Sequence, residues 1–196
     1  MKILLYGTHA KELRPVAAAA GLQPVEQAPE VVVTCGGDGA LLGAEREFPG
    51  VPKLPLRDRH TAPLCPVHAD YPEQFRRLAA NQLERTVLIK LAGQFGDRRL
   101  IGINDVFIHH RNPVSAIRYR VLINDQPYGR EIVGDGVGMA TPHGSTAYYR
   151  SITHSVFRTG LGLAFSNSTE VTNHLVLPGD TVVRIILTRG PAVMVA

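Results

Sequence analysis

The sequence predicts an α/β domain built on a parallel sheet, followed by a β-rich, β-sandwich-like domain. Two observations carry that expectation. The chain opens with a strand, helix, strand pattern that runs into a glycine-rich turn, VVVTCGGDGALL, from Val31 to Leu42. From Thr86 onward the texture changes to short β-rich segments (TVLIKLAG, LIGINDVFIHH, AIRYRVLIND, YGREIV) parted by turn residues at Gly96 to Arg98, Asn112 and Pro113, and Asn124 to Pro127. The boundary is expected near Asn81 to Arg85, which assigns 1–84 to the α/β part and 85–196 to the β-rich part.

Taken in order, Lys2 to Tyr6 read as a first strand closed by Gly7 and Thr8, and Ala10 to Ala20 as a helix stopped by Gly21. The chain then returns through the proline-punctuated stretch Leu22 to Glu30 to a strand at Val31 to Thr34, so a parallel crossover is expected. Val31, Val32 and Val33 are a continuous β-branched run, which suits a strand covered on both faces. Gly36, Gly37 and Gly39 allow unusual backbone conformations and close approach of a ligand, and Ala40, Leu41, Leu42 and Ala44 start a helix. Such a turn aims N–H groups and a helix dipole at an anion, with Asp38 inside it; equally, the glycines can make a tight turn and Asp38 can cap the helix.

Val51 to Pro66 holds four prolines and the cluster Arg57, Asp58, Arg59 and His60, and is expected to be a loop over the same sheet edge. Arg57 and Arg59 are either phosphate contacts or a solvated turn. Tyr71 to Ala80 reads as an amphipathic helix with Phe75, Leu78 and Ala79 on its apolar side. In LIGINDVFIHH, Asn104 and Asp105 interrupt an otherwise apolar strand; they mark either a site or a bulge facing water. His109 and His110 fall on opposite faces of that strand and are read as structural, not as ligands of one metal.

At 196 residues, 44% of them apolar and 19% charged, the chain is sized for one large or two small globular domains. Its net charge of +4 comes from scattered basic residues with no lysine or arginine run, which favours small anionic ligands and argues against a nucleic-acid track. Cys35 and Cys65 form no disulfide framework and no metal-binding spacing, so a reduced, cytoplasmic protein is expected. MKILLYG reads as a strand and not a signal peptide, and no apolar run is long enough to span a membrane.

The second informative stretch is GDGVGMATPHGSTAYYRS, Gly134 to Ser151. Its hydroxyls, its glycines and the Ala147–Tyr148 pair suit a ligand with a flat ring and a ribose, although a serine, threonine and glycine cluster can also serve as a loop and helix cap.

GGDG at Gly36 to Gly39, the Asn104 and Asp105 pair, and DGVGMATPHGSTAY at Asp135 to Tyr148 occur in the order and approximate spacing of the NAD kinase family, which the chain resembles from about Val31 to Asp180. The resemblance implies an α/β nucleotide-binding domain followed by a β-rich domain, and phosphorylation of the 2′-hydroxyl of the adenosine ribose of NAD to make NADP. It implies ATP or polyphosphate as donor, Mg²⁺ accompanying that donor, no separate protein metal site, and a homodimer or homotetramer. By the same resemblance Asp38 is the base or orienter at the ribose hydroxyl, and Gly36, Gly37 and Gly39 line the phosphates. Asn104 and Asp105 hold the adenosine, Thr146, Ala147 and Tyr148 form the adenine pocket, Ser151 adds a hydroxyl, and Asp135 reaches the nicotinamide side.

The chain departs from the family pattern at several places. His143 stands where threonine is usual, Ser168 and Asn173 where histidine and arginine are usual, and PLRDRHTAPLC replaces a glycine-rich segment. The usual C-terminal tail is missing after Ala196, as expected of a truncated or compact variant. Two further classes share part of the pattern: a lipid or sugar kinase with the same GGDG logic, and a non-catalytic dinucleotide sensor.

Overall fold

The computed structural model describes residues 1–60 and 70–196. Cys65 and the rest of 61–66, the end of the expected loop at Val51 to Pro66, lie outside the described residues. The chain divides into two compact units, Met1–Thr86 and Val87–Ala196.

In the first unit β1 (Lys2–Tyr6), β2 (Gln23–Pro24), β3 (Val31–Cys35) and β4 (Lys53–Leu56) form a sheet of order β2-β1-β3-β4, with every neighbouring pair parallel. Val32 and Val33 are both fully buried, but on opposite faces. Val33 packs with Ile3, Ala17 and Phe75, and Val32 with Leu4 and Ala44. A strand sandwiched in this way has no wet face, so its sequence does not alternate.

The helix expected over Ala10 to Ala20 is shorter and in two pieces: a 3₁₀ turn at Ala10–Leu13, then α1 at Arg14–Ala19. Pro15 explains the break, because proline lacks an N–H and is tolerated in the first turn of an α-helix but not inside one. The glycine turn leads into α2 (Asp38–Glu47), and α3 (Tyr71–Ala79) closes the unit. Asp70 caps α3 by accepting the Glu73 N–H at 2.9 Å, while Tyr71, Phe75 and Leu78 are buried against the sheet's first cluster.

The second unit carries β5 (Leu91–Phe95), β6 (Arg98–Gly102), β7 (Asp105–His110), β8 (Ile117–Ile123), β9 (Gln126–Gly134), β10 (Gly136–Ala140), β11 (Leu161–Ser166), β12 (His174–Leu177), β13 (Val183–Arg189) and β14 (Ala192–Val195), with α4 (Tyr148–Thr153) after β10. They form a five-stranded sheet β12-β11-β10-β7-β14, a three-stranded sheet β13-β8-β9 and the hairpin β5-β6. One apolar cluster joins the two larger sheets, with Ile117, Tyr119, Val121 and Ile132 from one and Val137, Leu163 and Phe165 from the other. The opposite face of the five-stranded sheet buries Phe107, Ala140 and Ala164 against Tyr149 of α4. The turn expected near Asn124 joins β8 to β9 through two residues, Asn124 and Asp125, with φ of 48° and 64°. These residue types tolerate that left-handed pair, which matches the twist of the flanking strands.

Two expected strands differ. The one foreseen from Thr86 starts only at Leu91. LIGINDVFIHH is not a single strand: β6 ends at Gly102, the chain bends at Ile103 and Asn104, and Asp105 opens β7. The bend is tight enough that a Cβ on Gly102 would fall 2.3 Å from the Asp105 carbonyl oxygen. Asn104 therefore stands at a break between strands, which is how a residue type depleted in strands is accommodated.

Candidate active site

The glycine turn lies at the carboxyl end of β3, the edge of an open parallel sheet where ligands bind. Three strand ends surround a cavity of about 720 Å³: Tyr6, Gly7 and Thr8 after β1, Cys35, Gly36 and Gly37 after β3, and Arg57 and Asp58 after β4. Gly7 is dictated by packing, since its φ is +125° and a Cβ would meet the Cys35 carbonyl oxygen at 2.1 Å. Gly37 and Gly39 are different. A Cβ at either position would meet nothing within 4 Å, so no protein contact requires the absence of a side chain there. The open space is what a ligand lying against the backbone needs.

Gly37 is the N-cap residue and Asp38 is the first residue of α2, without a capping hydrogen bond from a side chain. The expected alternative, in which Asp38 caps the helix, is not the arrangement found. Asp38 is exposed, and its carboxylate has no hydrogen bond or ion pair among the described residues. It stands next to Gly37 but is not part of the cavity wall. Of the two arginines foreseen as phosphate contacts, Arg57 reaches the cavity and Arg59 does not: its guanidinium lies over the Tyr71 ring, 5.1 Å from the centroid. Tyr71 holds this turn by donating to the Arg57 carbonyl at 2.5 Å and accepting the Arg59 N–H at 3.2 Å.

Asp58, one of the charged cluster expected in a loop, is buried at 4% exposure. It accepts the His60 backbone N–H at 3.0 Å and lies 2.7 Å from His9 Nδ1. These two contacts, in that order, hold its carboxyl below the usual carboxylate range, and the bond to Asp58 raises the His9 imidazole. Mg²⁺ binds through one or two carboxylates together with phosphate oxygens. Asp38, beside Gly37 and with no partner among the described residues, is a donor of that kind, so the turn fits a Mg²⁺ ion carried in by a polyphosphate.

In the second unit the fold gathers several of the residues named from the motifs. Asn104 is clamped to the turn after β10. Its carbonyl accepts the Thr141 N–H at 2.8 Å, Thr141 Oγ1 donates to Ile103 at 2.6 Å, and a Cβ on Gly144 would lie 2.0 Å from the Asn104 carbonyl oxygen. Gly144 is thus glycine because two backbone segments touch. The turn continues as a 3₁₀ segment, Gly144–Thr146, and Ala147 precedes α4.

Asp105, Phe107 and His109 share one face of β7 by strand alternation. Tyr148 packs on that face, with its ring 4.9 Å from Phe107 and 5.3 Å from His109. Asp105 and the Asn104 side chain have no hydrogen-bond partner among the described residues, and burial alone pushes the Asp105 carboxyl above its ordinary range. Burial, then the neighbouring His110 charge, lowers His109.

A cavity of about 410 Å³ lies beyond Tyr148, bounded by Ser151, Ser166, Asn167, Ser168, Glu170 and Asn173. Ser168 and Asn173, the two departures from the family pattern, both face it. Asp135 lies between β9 and β10, where its carboxylate accepts from Asn167 Nδ2 at 2.9 Å. His110 Nδ1 is 3.4 Å from the same carboxylate but without hydrogen-bond geometry, and it is a buried nitrogen lacking a partner. Thr146 and Ser151 are exposed and spend their hydroxyls locally, on His143 at 3.3 Å and Tyr148 at 2.7 Å. The sequence names Asp58 only as part of a charged cluster, reads His109 as structural and offers nothing on Asn167. His109 had a usable signal, the shared parity with Asp105; the other two had none.

No protein-family model matches the chain. It is 30% identical to the NAD kinase of Limosilactobacillus reuteri over 157 residues, which span 72% of this chain and 55% of that protein. The chain belongs to the NAD kinase family. It spans about half the length of the curated NAD kinases it matches.

Solved structures agree on the fold. The yeast NADH kinase complexed with NADH superposes with a TM-score of 0.71 at 22% identity, covering 89% of this chain and 56% of that one. The NAD kinase from Archaeoglobus fulgidus in complex with ATP superposes with a TM-score of 0.77 at 15% identity, covering 100% of this chain and 82% of that one. This family member therefore has the family's α/β unit and β-rich unit. No helix among its described residues is long and apolar enough to cross a membrane.

Proposed function

We propose that this chain phosphorylates the 2′-hydroxyl of the adenosine ribose of NAD, giving NADP, with ATP or polyphosphate as donor and a divalent metal. The observation that carries the reading is Asp38: an exposed carboxylate with no partner among the described residues, directly after two glycines that bound a cavity at the carboxyl edge of a parallel sheet. The names of its relatives, NAD kinases and an NADH kinase, point to the same substrates.

Phosphoryl transfer asks the protein mainly for alignment and charge neutralisation. Gly37 and Gly39 leave their backbone open to phosphate oxygens, and Arg57 adds a cation on the cavity wall. Asp38 accepts the hydroxyl proton as that oxygen attacks the terminal phosphorus, and the bond from phosphorus to the donor's bridging oxygen breaks. Mg²⁺ bound with the donor supplies charge neutralisation on the leaving phosphates. In the β-rich unit, Asp105 and Asn104 offer unpaired polar atoms to ribose hydroxyls and the adenine edge, and the Tyr148 ring, 40% exposed, offers a surface for the base. Asp135, Thr146, Ala147 and Ser151 complete the NAD contacts, and the reading extends to a cytoplasmic homodimer or homotetramer.

The test is incubation with NAD, ATP and Mg²⁺ followed by detection of NADP. Asp38→Asn should lower turnover by about 10²–10⁴-fold, the usual worth of a general base, while NAD binding and melting temperature stay near native. NAD-induced thermal stabilisation without product would favour a dinucleotide sensor, and near-native turnover of Asp38→Asn would remove the role given to Asp38.

A further inference from the structure

His9 follows β1 and Asp58 and His60 follow β4, so three potential metal ligands from two loops meet at the carboxyl edge of the parallel sheet. Their donor atoms all lie within 4.8 Å of one another, and this is the one such group of three among the described residues. The two imidazole rings are 4.4 Å apart between centroids and tilted by 45°, while the carboxylate is 2.7 Å from His9 Nδ1. A fourth residue supports the set from behind: Glu12 Oε2 lies 3.0 Å from His60 Nε2. A carboxylate on one ring nitrogen fixes the tautomer and leaves the other nitrogen as a ligand, the usual arrangement around metal-bound histidine.

We propose that His9, Asp58 and His60 bind one transition-metal ion of the Zn²⁺ class. Two imidazole nitrogens and one carboxylate suit Zn²⁺ or Co²⁺ and are a poor match for Mg²⁺ or Ca²⁺, which take oxygen ligands. With bonds of roughly 2.0–2.2 Å, two ligands on one ion stand about 3–3.5 Å apart. A spread of up to 4.8 Å therefore closes by roughly 1.3–1.8 Å to reach that ligand spacing, through rotation of the half-exposed His60 ring, whose side chain is 46% accessible. Three protein ligands leave a coordination position open, and Asp58 also lines the cavity bounded by Gly36 and Gly37. The ion thus sits at the wall of that cavity with a free position for water or an oxyanion. The site stands on this cluster alone and does not depend on the kinase reading.

The experiment is calorimetric titration of the metal-free, nucleotide-free full chain with Zn²⁺, repeated with Co²⁺ to read its visible absorption. One ion per chain is expected, with intense Co²⁺ bands of a four-coordinate N/O site, and with millimolar Mg²⁺ failing to compete. His9→Gln and His60→Gln should each weaken Zn²⁺ at least 10-fold. Glu12→Gln, which touches only the back of the His60 ring, should weaken it by a smaller factor while leaving the stoichiometry at one. Melting curves of the metal-free variants check folding, and His60 is exposed enough to be replaced without loss of the fold. Absence of one-to-one binding, or binding that both histidine variants leave unchanged, overturns the proposal. Neither readout involves NADP formation, so a chain that makes no NADP can still bind the ion, and a chain that binds no ion can still be a kinase.

Discussion

Gly39→Ala separates a glycine kept for the fold from a glycine kept for a ligand. Gly39 is the second residue of α2, its φ is not in the left-handed region, and an added Cβ would meet nothing within 4 Å. Alanine is favoured over glycine inside a helix by about 0.8–1.0 kcal/mol. At a position in the first turn roughly half of that is realised, so the variant should gain about 0.5 kcal/mol, or about 1–2 °C in melting temperature for a chain of this size. The same methyl group would project from the turn that lines the proposed phosphate site. If the phosphates lie against that backbone, displacement by one methyl should cost more than about 1.4 kcal/mol of transition-state binding, which is a tenfold loss in kcat/KM. The measurements are a thermal melt and initial rates of NADP formation from NAD and ATP. Gly179→Ala is the control, since a Cβ there also meets nothing within 4 Å but the residue lies between β12 and β13, away from the glycine turn. A Gly39→Ala protein that is stabilised and as active as the parent would refute the reasoning that open space at this turn is reserved for a ligand.

Other expected outcomes follow from buried charge. Asp105 is a carboxylate whose pKa is raised by burial, so the folded state holds its proton to higher pH than the unfolded state does. Its charged form costs stability above the raised pKa, and the cost fades as pH falls to the ordinary carboxyl value of 3.8. Asp105→Asn should therefore melt higher than the parent at pH 7 and converge with it in acid, while binding NAD more weakly; an unchanged melt at pH 7 would show that the carboxylate is not strained. Lys53 donates to Glu45 and to the Phe48 carbonyl, with side chains only 7% and 13% exposed for Lys53 and Glu45. Lys53→Met removes the buried cation beside Glu45 and should destabilise the chain in urea denaturation, by at most the roughly 3–5 kcal/mol of a broken buried ion pair. Adding Glu45→Gln should recover part of that, because glutamine keeps an acceptor for the Gly50 N–H; no recovery in the double variant would mean the loss comes from packing.

Much of the first unit was legible because its signals are local. The valine run, the amphipathic spacing of Phe75 and Leu78, and the glycine turn each follow from backbone preferences and one face of periodicity. The helix start at Arg14 was also written in the chain, in Pro15, but the alanine-rich run hid it. LIGINDVFIHH misled in another way. Its apolar residues read as a single strand, yet a backbone bend at Ile103 and Asn104 cut it into two strands of different sheets. A composition window does not contain the neighbour that forces such a bend. For the candidate site, motif order named Asp38, Asn104, Asp105 and Tyr148, but it could not say which of them meet or which polar atoms are left unpaired.

The sequence by itself determined where most strands and turns lie, that the run Val31 to Val33 is covered on both faces, and which family the motifs belong to, because these depend on residues adjacent or periodically spaced along the chain. Only the tertiary structure decided what strand order and register bring together. His9 meets Asp58 across 49 residues because β1 and β4 end at the same sheet edge. His109 meets Tyr148 because β10 pairs with β7 and carries the following helix over its face. Asn104 and Gly144 touch because two backbones approach where no side chain fits. Contacts of that kind depend on loop closure and sheet pairing over the whole unit, which no stretch of local sequence encodes.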